Sequence, residues 1–152
     1  LMDLYAELVT ARTAIVDEAQ TSLQELHQEH YESAGDVVTR QRIEELFDLV
    51  VTGLRDRDLT AVVSYADGVA QERFTAGFDV AEVQTAFNAL ETAMWRHVVA
   101  TQQPDDLAEA IGLVGTVFGA AKDALARGYV SLASHHHVTS LDLSALFRGV
   151  AG

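Results

Sequence analysis

Six histidines are the residues of this chain best suited to metal or acid–base chemistry, because imidazole titrates near neutral pH and is a common metal ligand. His27 and His30 are three residues apart, a spacing that places both on one side of a helix. Two ligands at that spacing can hold zinc or nickel if another helix supplies a third. The alternative is a solvated, polar helix end. We therefore treat both residues as candidate metal ligands of a helical metalloprotein, the lowest-ranked of our hypotheses.

The remaining histidines point to different interpretations. His97 lies at the edge of an apolar stripe, one turn after Met94. A globin-like interpretation would make His97 a haem ligand, whereas the alternative is a histidine at the core edge with a hydrogen-bond partner. The run from His135 to His137 points in three directions on a helix and cannot form one tetrahedral site. We interpret that run as a polar helix end, where protonated imidazoles favour the helix dipole.

Other catalytic patterns are missing from the sequence. The chain contains no cysteine, which removes disulfides, thiolate catalysis and Cys-ligated zinc. It also has no G-x-S-x-G motif and no glycine-rich phosphate loop following a strand. We therefore expect a protein that is not an enzyme, with no catalytic residues and no cofactor.

Arg73 is the most unusual charge in the sequence, because it continues a stripe of apolar residues on one helix side. Left unpaired in a protein interior, a guanidinium would cost several kcal/mol. Glu91, beside the apolar stripe of the next helix, is a candidate partner. One alternative is that Arg73 extends along its aliphatic stem to solvent near the helix end, and another is that it binds an anionic ligand. The stripe consists of Leu59, Val62, Ala66 and Val69.

Periodicity and punctuation predict five helices, at about residues 2–31, 40–57, 59–76, 79–101 and 106–135. Asp58 is the expected N-cap of the third helix, and Gly77 its expected left-handed C-cap. Asp79 followed by Glu82 predicts a capping box at the start of the fourth helix. The tight turn between these two helices makes them either antiparallel neighbours or a sharply bent pair.

The fifth helix is apolar on most sides through its first half, which predicts that it is central in the bundle or buried by a partner. Gly112, Gly115 and Gly119 share one side, where another backbone could approach closely. We expect a homodimer that buries either this half or the stripe of the first helix. The chain divides into a helical regulatory domain, residues 1–138, and a tail or linker, residues 139–152, with an amphipathic piece at 141–147.

Composition restricts the class of protein and its partners. A chain of 152 residues with 49% hydrophobic content can bury a core, and a single proline with long Ala-, Leu- and Val-rich runs favours an all-α helical bundle. The net charge of −13 disfavours nucleic acid and anionic membranes as partners. The apolar runs are too short to span a bilayer. We expect a cytoplasmic protein, since no signal peptide opens the sequence.

Residues 40–98 carry a pattern that runs from Arg73 through Gly77 to Trp95. In this pattern they resemble the N-terminal domains of the RsbT co-antagonist (RsbRD-like) family. The shared pattern is an arginine, a glycine, hydrophobic residues around an acid, and a helix that closes on tryptophan. Residues 43–54 and the spacer 55–58 also resemble the family. Many relatives carry basic residues before the tryptophan, where this chain has Asn88, Glu91 and Thr92. The pattern is matched by Arg73, Gly77, Phe78, Val80, Glu82, Val83, Phe87, Leu90 and Trp95.

The resemblance implies a sensory or scaffolding domain without catalytic activity, often dimeric, that passes a signal to a STAS, kinase or helix-turn-helix domain. We therefore expect a role in signal transduction and stress-response regulation through protein–protein contacts. A small-ligand or haem-binding helical sensor is the alternative function, and a globin-like variant of the bundle stays open with it. The candidate ligand or switch residues are Arg73, Glu91, Trp95 and His97.

Overall fold

Seven α-helices contain most of the residues that the computed structural model describes, namely 3–26 and 29–140, and none of those residues lies in a strand. The predicted all-α class is therefore confirmed, with seven helices in place of five. The globin-like variant stays a hypothesis. The helices are α1 (Leu4–Thr10), α2 (Arg12–Glu25), α3 (Glu29–Ala34), α4 (Asp36–Asp56), α5 (Thr60–Thr75), α6 (Val80–Thr101) and α7 (Pro104–Ser140).

The helix predicted at residues 2–31 is divided into α1, α2 and α3. At Ala11 the division is only a bend, because the Ala11 amide still donates to Glu7 and the Ala11 carbonyl still accepts from Ile15. Apolar periodicity continues across such a bend, so the sequence pattern did not reveal it. His30 of α3 makes a tertiary contact with α6, described below, and local propensity does not encode that contact.

The other helix ends follow their capping residues closely. Helix α4 begins at Asp36, four residues earlier than predicted, directly after Gly35 with its φ of 87°. The predicted N-cap Asp58 is displaced by one residue: Leu59 occupies the cap position, while the Asp58 carboxylate accepts the Thr60 amide at 2.9 Å. Helix α7 begins at Pro104, a residue whose fixed φ suits the first helical position.

Helix α7 forms the centre of the bundle and packs against α4, α5 and α6. It approaches α5 closely at Gly128, where an added Cβ would lie 2.6 Å from the Cβ of Ala70. Helix α6 also packs on α2, and α5 contacts α6 little although the two are joined by a short turn. The sharply bent pair is therefore the arrangement that forms. The buried face of α7 consists of Ala110, Val114, Val117, Phe118, Ala121, Ala124, Leu125 and Tyr129.

The opposite side of α7 is exposed over its first half. A Cβ added at Gly112, Gly115 or Gly119 would meet nothing within 4 Å. Ile111 on the same side is 40% exposed, and Val130 further along the helix is 66% exposed. Within the described ranges, no helix is both long and apolar enough to cross a membrane.

Candidate functional site

The corner between α5 and α6 is built by two local motifs in succession. The Gly77 amide donates to the Phe74 carbonyl at 3.1 Å and the Phe78 amide donates to the Arg73 carbonyl at 2.9 Å. This pair of bonds around a glycine at φ 87° is the Schellman arrangement, which confirms the predicted C-cap. The chain therefore leaves α5 in a fixed direction and brings Phe78 back over Arg73.

Helix α6 then starts with the predicted capping box. The Asp79 side chain accepts the Ala81 amide at 3.2 Å, and the Glu82 carboxylate accepts the Asp79 amide at 3.3 Å. Together these contacts satisfy amides that the first turn of a helix leaves without partners. The start of α6 is thus fixed directly after the turn that ends α5.

His30 of α3 closes over this corner. Its Nδ1 donates to the Glu82 carboxylate, 2.8 and 2.9 Å from the two oxygens, and its ring lies 4.7 Å from the Phe78 ring centroid. Burial raises the pKa of Glu82, but the hydrogen bonds from His30 and from the Asp79 amide outweigh it, leaving the pKa below the ordinary 4.5. Glu82 is therefore an ionised anchor for both α3 and α6.

Arg73 is buried at this corner, with only 5% of its side chain exposed. Its Nη1 donates to the carboxylate of Glu72, a side chain that is 64% exposed. Its guanidinium carbon lies 5.7 Å from the centroid of the Phe78 ring, within the range of a cation–π contact. The Arg73 Nε is buried and has no hydrogen-bond partner among the described residues.

The expected ion pair between Arg73 and Glu91 is not formed. Glu91 binds the Lys122 ammonium of α7 at 2.8 Å, and the same ammonium donates to Asn88 at 3.0 Å. The physical reason is that α7 packs against both α5 and α6, whereas those two helices contact each other little. The extended, solvent-reaching conformation of Arg73 is not observed either.

A second arginine reaches the same corner from α4. The guanidinium carbon of Arg42 lies 5.9 Å from the Phe78 ring centroid, and its Nη2 lies 3.8 Å from the Glu72 carboxylate. Two guanidinium groups therefore share one aromatic ring and one carboxylate. In a chain with net charge −13, this is a local concentration of positive charge.

Space is available on both sides of the two arginines. A small cavity of about 20 Å³ adjoins them, and the rest of its lining is largely apolar, with Thr39 and Tyr65 as polar exceptions. Above them an open groove of about 230 Å³ is lined by both arginines, Tyr65 and Glu72. The first volume holds about one water molecule, and the second is roughly an order of magnitude larger.

The corner is tied directly to the central helix. The Tyr129 hydroxyl of α7 donates to the Phe78 carbonyl at 3.0 Å in a buried hydrogen bond. The Tyr129 ring also meets the Phe74 ring edge-on, with centroids 5.7 Å apart. A displacement of Phe78 would therefore be transmitted to α7.

His97 and Trp95 lie away from this corner. His97 is half-buried and lines an open groove of about 430 Å³ between α1 and the end of α6, together with Asp3, Glu7 and Thr101. Trp95 is 40% exposed on α6. The structure thus separates the candidate ligand or switch residues: Arg73 lies at the α5–α6 corner, whereas Glu91 and Trp95 lie one turn apart on α6.

The metal hypothesis rests on His27 and His30, and the structure describes only the second of them. His27 lies outside the described residues, and the Nδ1 of His30 is bound to Glu82. Over residues 3–26 and 29–140, no group of three or more histidine and acidic side chains is arranged to hold a metal ion.

Sequence reasoning missed Arg42, Glu72 and Tyr129 as parts of the site. A signal for Arg42 was present, because it falls between Thr39 and Leu46 on the buried side of α4 at helical spacing. Tyr129 gave no such signal, since its role depends on a contact with a backbone carbonyl in another helix.

Comparison with known proteins gives one assignment. No curated protein and no solved structure matches the chain significantly. The family model described as the RsbT co-antagonist protein rsbRD N-terminal domain matches residues 7–136, which include every contact of the α5–α6 corner described above. The resemblance expected from residues 40–98 is therefore confirmed and extends over most of the molecule, and the chain belongs to the RsbRD N-terminal domain family.

Proposed function

We propose that this chain is a non-enzymatic regulatory domain that forms a homodimer and relays a signal through helix packing to a partner protein or a fused output domain. Membership of the RsbRD N-terminal domain family supports the general part of this proposal, a role in bacterial stress signalling. The dimer and the relay are argued from the helices themselves.

The observation that carries the proposal is an exposed surface of low polarity on two adjacent helices. The Lys122–Glu91 ion pair sets the register of α7 against α6. From that pair, Trp95 lies one turn along α6 toward the short α6–α7 connection, and Gly119 lies one turn along α7 toward the same end. We call this surface the α6–α7 apolar face, and it comprises Trp95, Val99, Ile111, Gly112, Gly115 and Gly119.

A second copy of the chain is the occupant that fits this face best. None of its six residues is charged, so none of them would lose ionic hydration on association, and the three glycines let a facing helix approach closely. Exposed tryptophan is a residue type enriched at protein–protein interfaces. Within each copy, the same helix α7 meets the α5–α6 corner through Tyr129, so one helix connects the corner with the interface.

Light scattering after size-exclusion chromatography tests the dimer with a matched pair of variants. Gly115→Glu introduces a charge on the face, and the position has open space in the single chain, so the fold tolerates it. Gly68→Glu on α5 is the control, because Gly68 also has open space around it and lies off the face. We expect a dimeric mass at micromolar concentration for the natural chain and for Gly68→Glu, and the mass of one chain for Gly115→Glu.

A natural chain with the mass of a monomer would contradict the proposal, as would an unchanged dimer in Gly115→Glu. An absorption spectrum of the purified protein distinguishes this proposal from the main alternative, a small-ligand or haem-binding sensor. A Soret band would indicate a haem-binding sensor, with His97 as the ligand to test first.

A further inference from the structure

We propose that the groove above Arg42 and Arg73 is a binding site for a small organic monocarboxylate, whose carboxylate bridges the two guanidinium groups. The groove lies between α4 and α5 and has a volume of about 230 Å³. Binding there is independent of dimerisation, although its transmission to α7 rests on the proposed function.

The first argument is the incomplete hydrogen bonding of Arg73. A buried guanidinium is stable only when its charge and its N–H donors are matched. Arg73 is 95% buried, and its Nε has no partner among residues 3–26 and 29–140. Within the described ranges, the carboxylate it contacts is that of Glu72, which is largely exposed at the rim of the groove.

The second argument is the geometry of the two arginines. Both guanidinium carbons lie within 6 Å of the Phe78 ring centroid, and both arginines line the same groove. Glu72 accepts a hydrogen bond from Arg73, and its carboxylate lies 3.8 Å from Arg42 Nη2. Because a planar carboxylate can accept from two guanidinium groups at once, a ligand in this groove can bind both arginines.

The third argument selects the class of anion. The rim carries Glu45 and Glu72, and the chain has a net charge of −13, so an anion with two or more charges is repelled more strongly than a monoanion. The groove is also lined by Val38, Val69 and the Tyr65 side chain. These side chains offer an apolar contact to a short hydrocarbon or aromatic group, which inorganic phosphate lacks.

Occupancy of the groove has a route to the central helix. The ligand would displace Glu72 and hold Arg73 against Phe78, whose carbonyl accepts the Tyr129 hydroxyl at 3.0 Å. In this arrangement the carboxylate is the signal and α7 is the element that responds.

Titration of the full chain with benzoate, followed by amide chemical shifts, tests the site, and inorganic phosphate is the comparison anion. We expect saturable shifts centred on Arg42, Arg73 and Phe78 with benzoate and weaker binding of phosphate. The absence of saturable shifts up to tens of millimolar benzoate would overturn the proposal, as would tighter binding of phosphate than of benzoate.

Three variants with different expected signs complete the test. Arg42→Gln should weaken benzoate binding about tenfold, since one of the two charge-assisted bonds is lost. Glu72→Gln should tighten it several-fold, because the competing carboxylate is removed. Arg12→Gln removes the same charge from a surface site beside Asp48 and should leave the affinity unchanged.

Equal weakening by Arg12→Gln and Arg42→Gln would show a general charge effect and would overturn the proposed site. Weaker benzoate binding by the Glu72→Gln variant would also overturn it. Arg73→Met is a further variant that should abolish binding. If Arg73→Met fails to fold, as circular dichroism would reveal, Arg42→Gln and Glu72→Gln still decide the outcome. Failure of the dimer experiment leaves this result unaffected, because the readout is ligand binding.

Discussion

Glu82 supports the α5–α6 corner at the scale of a single residue. One carboxylate accepts both the His30 ring and the Asp79 amide, so it joins α3 to the start of α6. Only 17% of its side chain is exposed, and its ionised form is the one that accepts these bonds. Because its pKa is lowered in the folded state, Glu82 stabilises the fold above the ordinary pKa of 4.5, and this contribution disappears as pH falls through the folded value.

Glu82→Gln should therefore lower the free energy of unfolding by about 1–2 kcal/mol at neutral pH, from the loss of charge-assisted bonds and of part of the capping box. The difference from the natural chain should shrink as pH falls from 4.5, because the natural carboxylate becomes protonated. Urea denaturation at a series of pH values measures both effects. Glu25→Gln, an exposed position on α2, is the control and should change stability little. A pH-independent difference would contradict this account.

At the scale of the helices, local and tertiary signals can be separated residue by residue. Gly77, Asp79 and Glu82 act within a few residues of one another, so their caps were predictable from the sequence. The partner of Glu91 was not, because Lys122 lies 31 positions away and faces it only after α7 has packed between α5 and α6. The same limit applies to Arg73: the sequence placed it on a buried stripe, but its contacts depend on Phe78 returning over the helix end.

Helix α7 also illustrates why glycines of one helix are not equivalent. Gly128→Ala would place a Cβ 2.6 Å from the Cβ of Ala70, which is attached directly to a backbone and cannot rotate away. Helices α5 and α7 must then separate. We expect a destabilisation of about 1–3 kcal/mol, exceeding the helix-propensity gain of alanine.

Thermal or chemical denaturation monitored by circular dichroism checks this prediction. The matched control is Gly68→Ala on α5, where an added Cβ meets nothing within 4 Å. That variant should stabilise the protein by about 0.5–1 kcal/mol through helix propensity alone. Equal effects of the two substitutions would show that the close α5–α7 approach does not constrain the fold.

At the scale of the whole molecule, the net charge opposes the proposed association. Two copies that each carry −13 repel, whereas the α6–α7 apolar face attracts without charged groups. Salt should therefore strengthen the dimer, since it screens repulsion and leaves apolar burial intact.

Raising NaCl from about 0.01 M to about 0.15 M shortens the Debye length from about 30 to about 8 Å. Over that range we expect the dimer dissociation constant to fall several-fold in sedimentation equilibrium. Gly115→Glu should stay monomeric at both salt concentrations. A dimer that weakens with added salt would instead indicate an interface built on ion pairs.

Trp95 gives this protein an intrinsic optical probe. It is the only tryptophan in the chain and lies on the α6–α7 apolar face, 40% exposed in the single chain. Its fluorescence emission therefore reports the polarity of that surface without any label. A shift to shorter wavelength and protection from iodide quenching would follow association directly, at concentrations well below those that scattering requires.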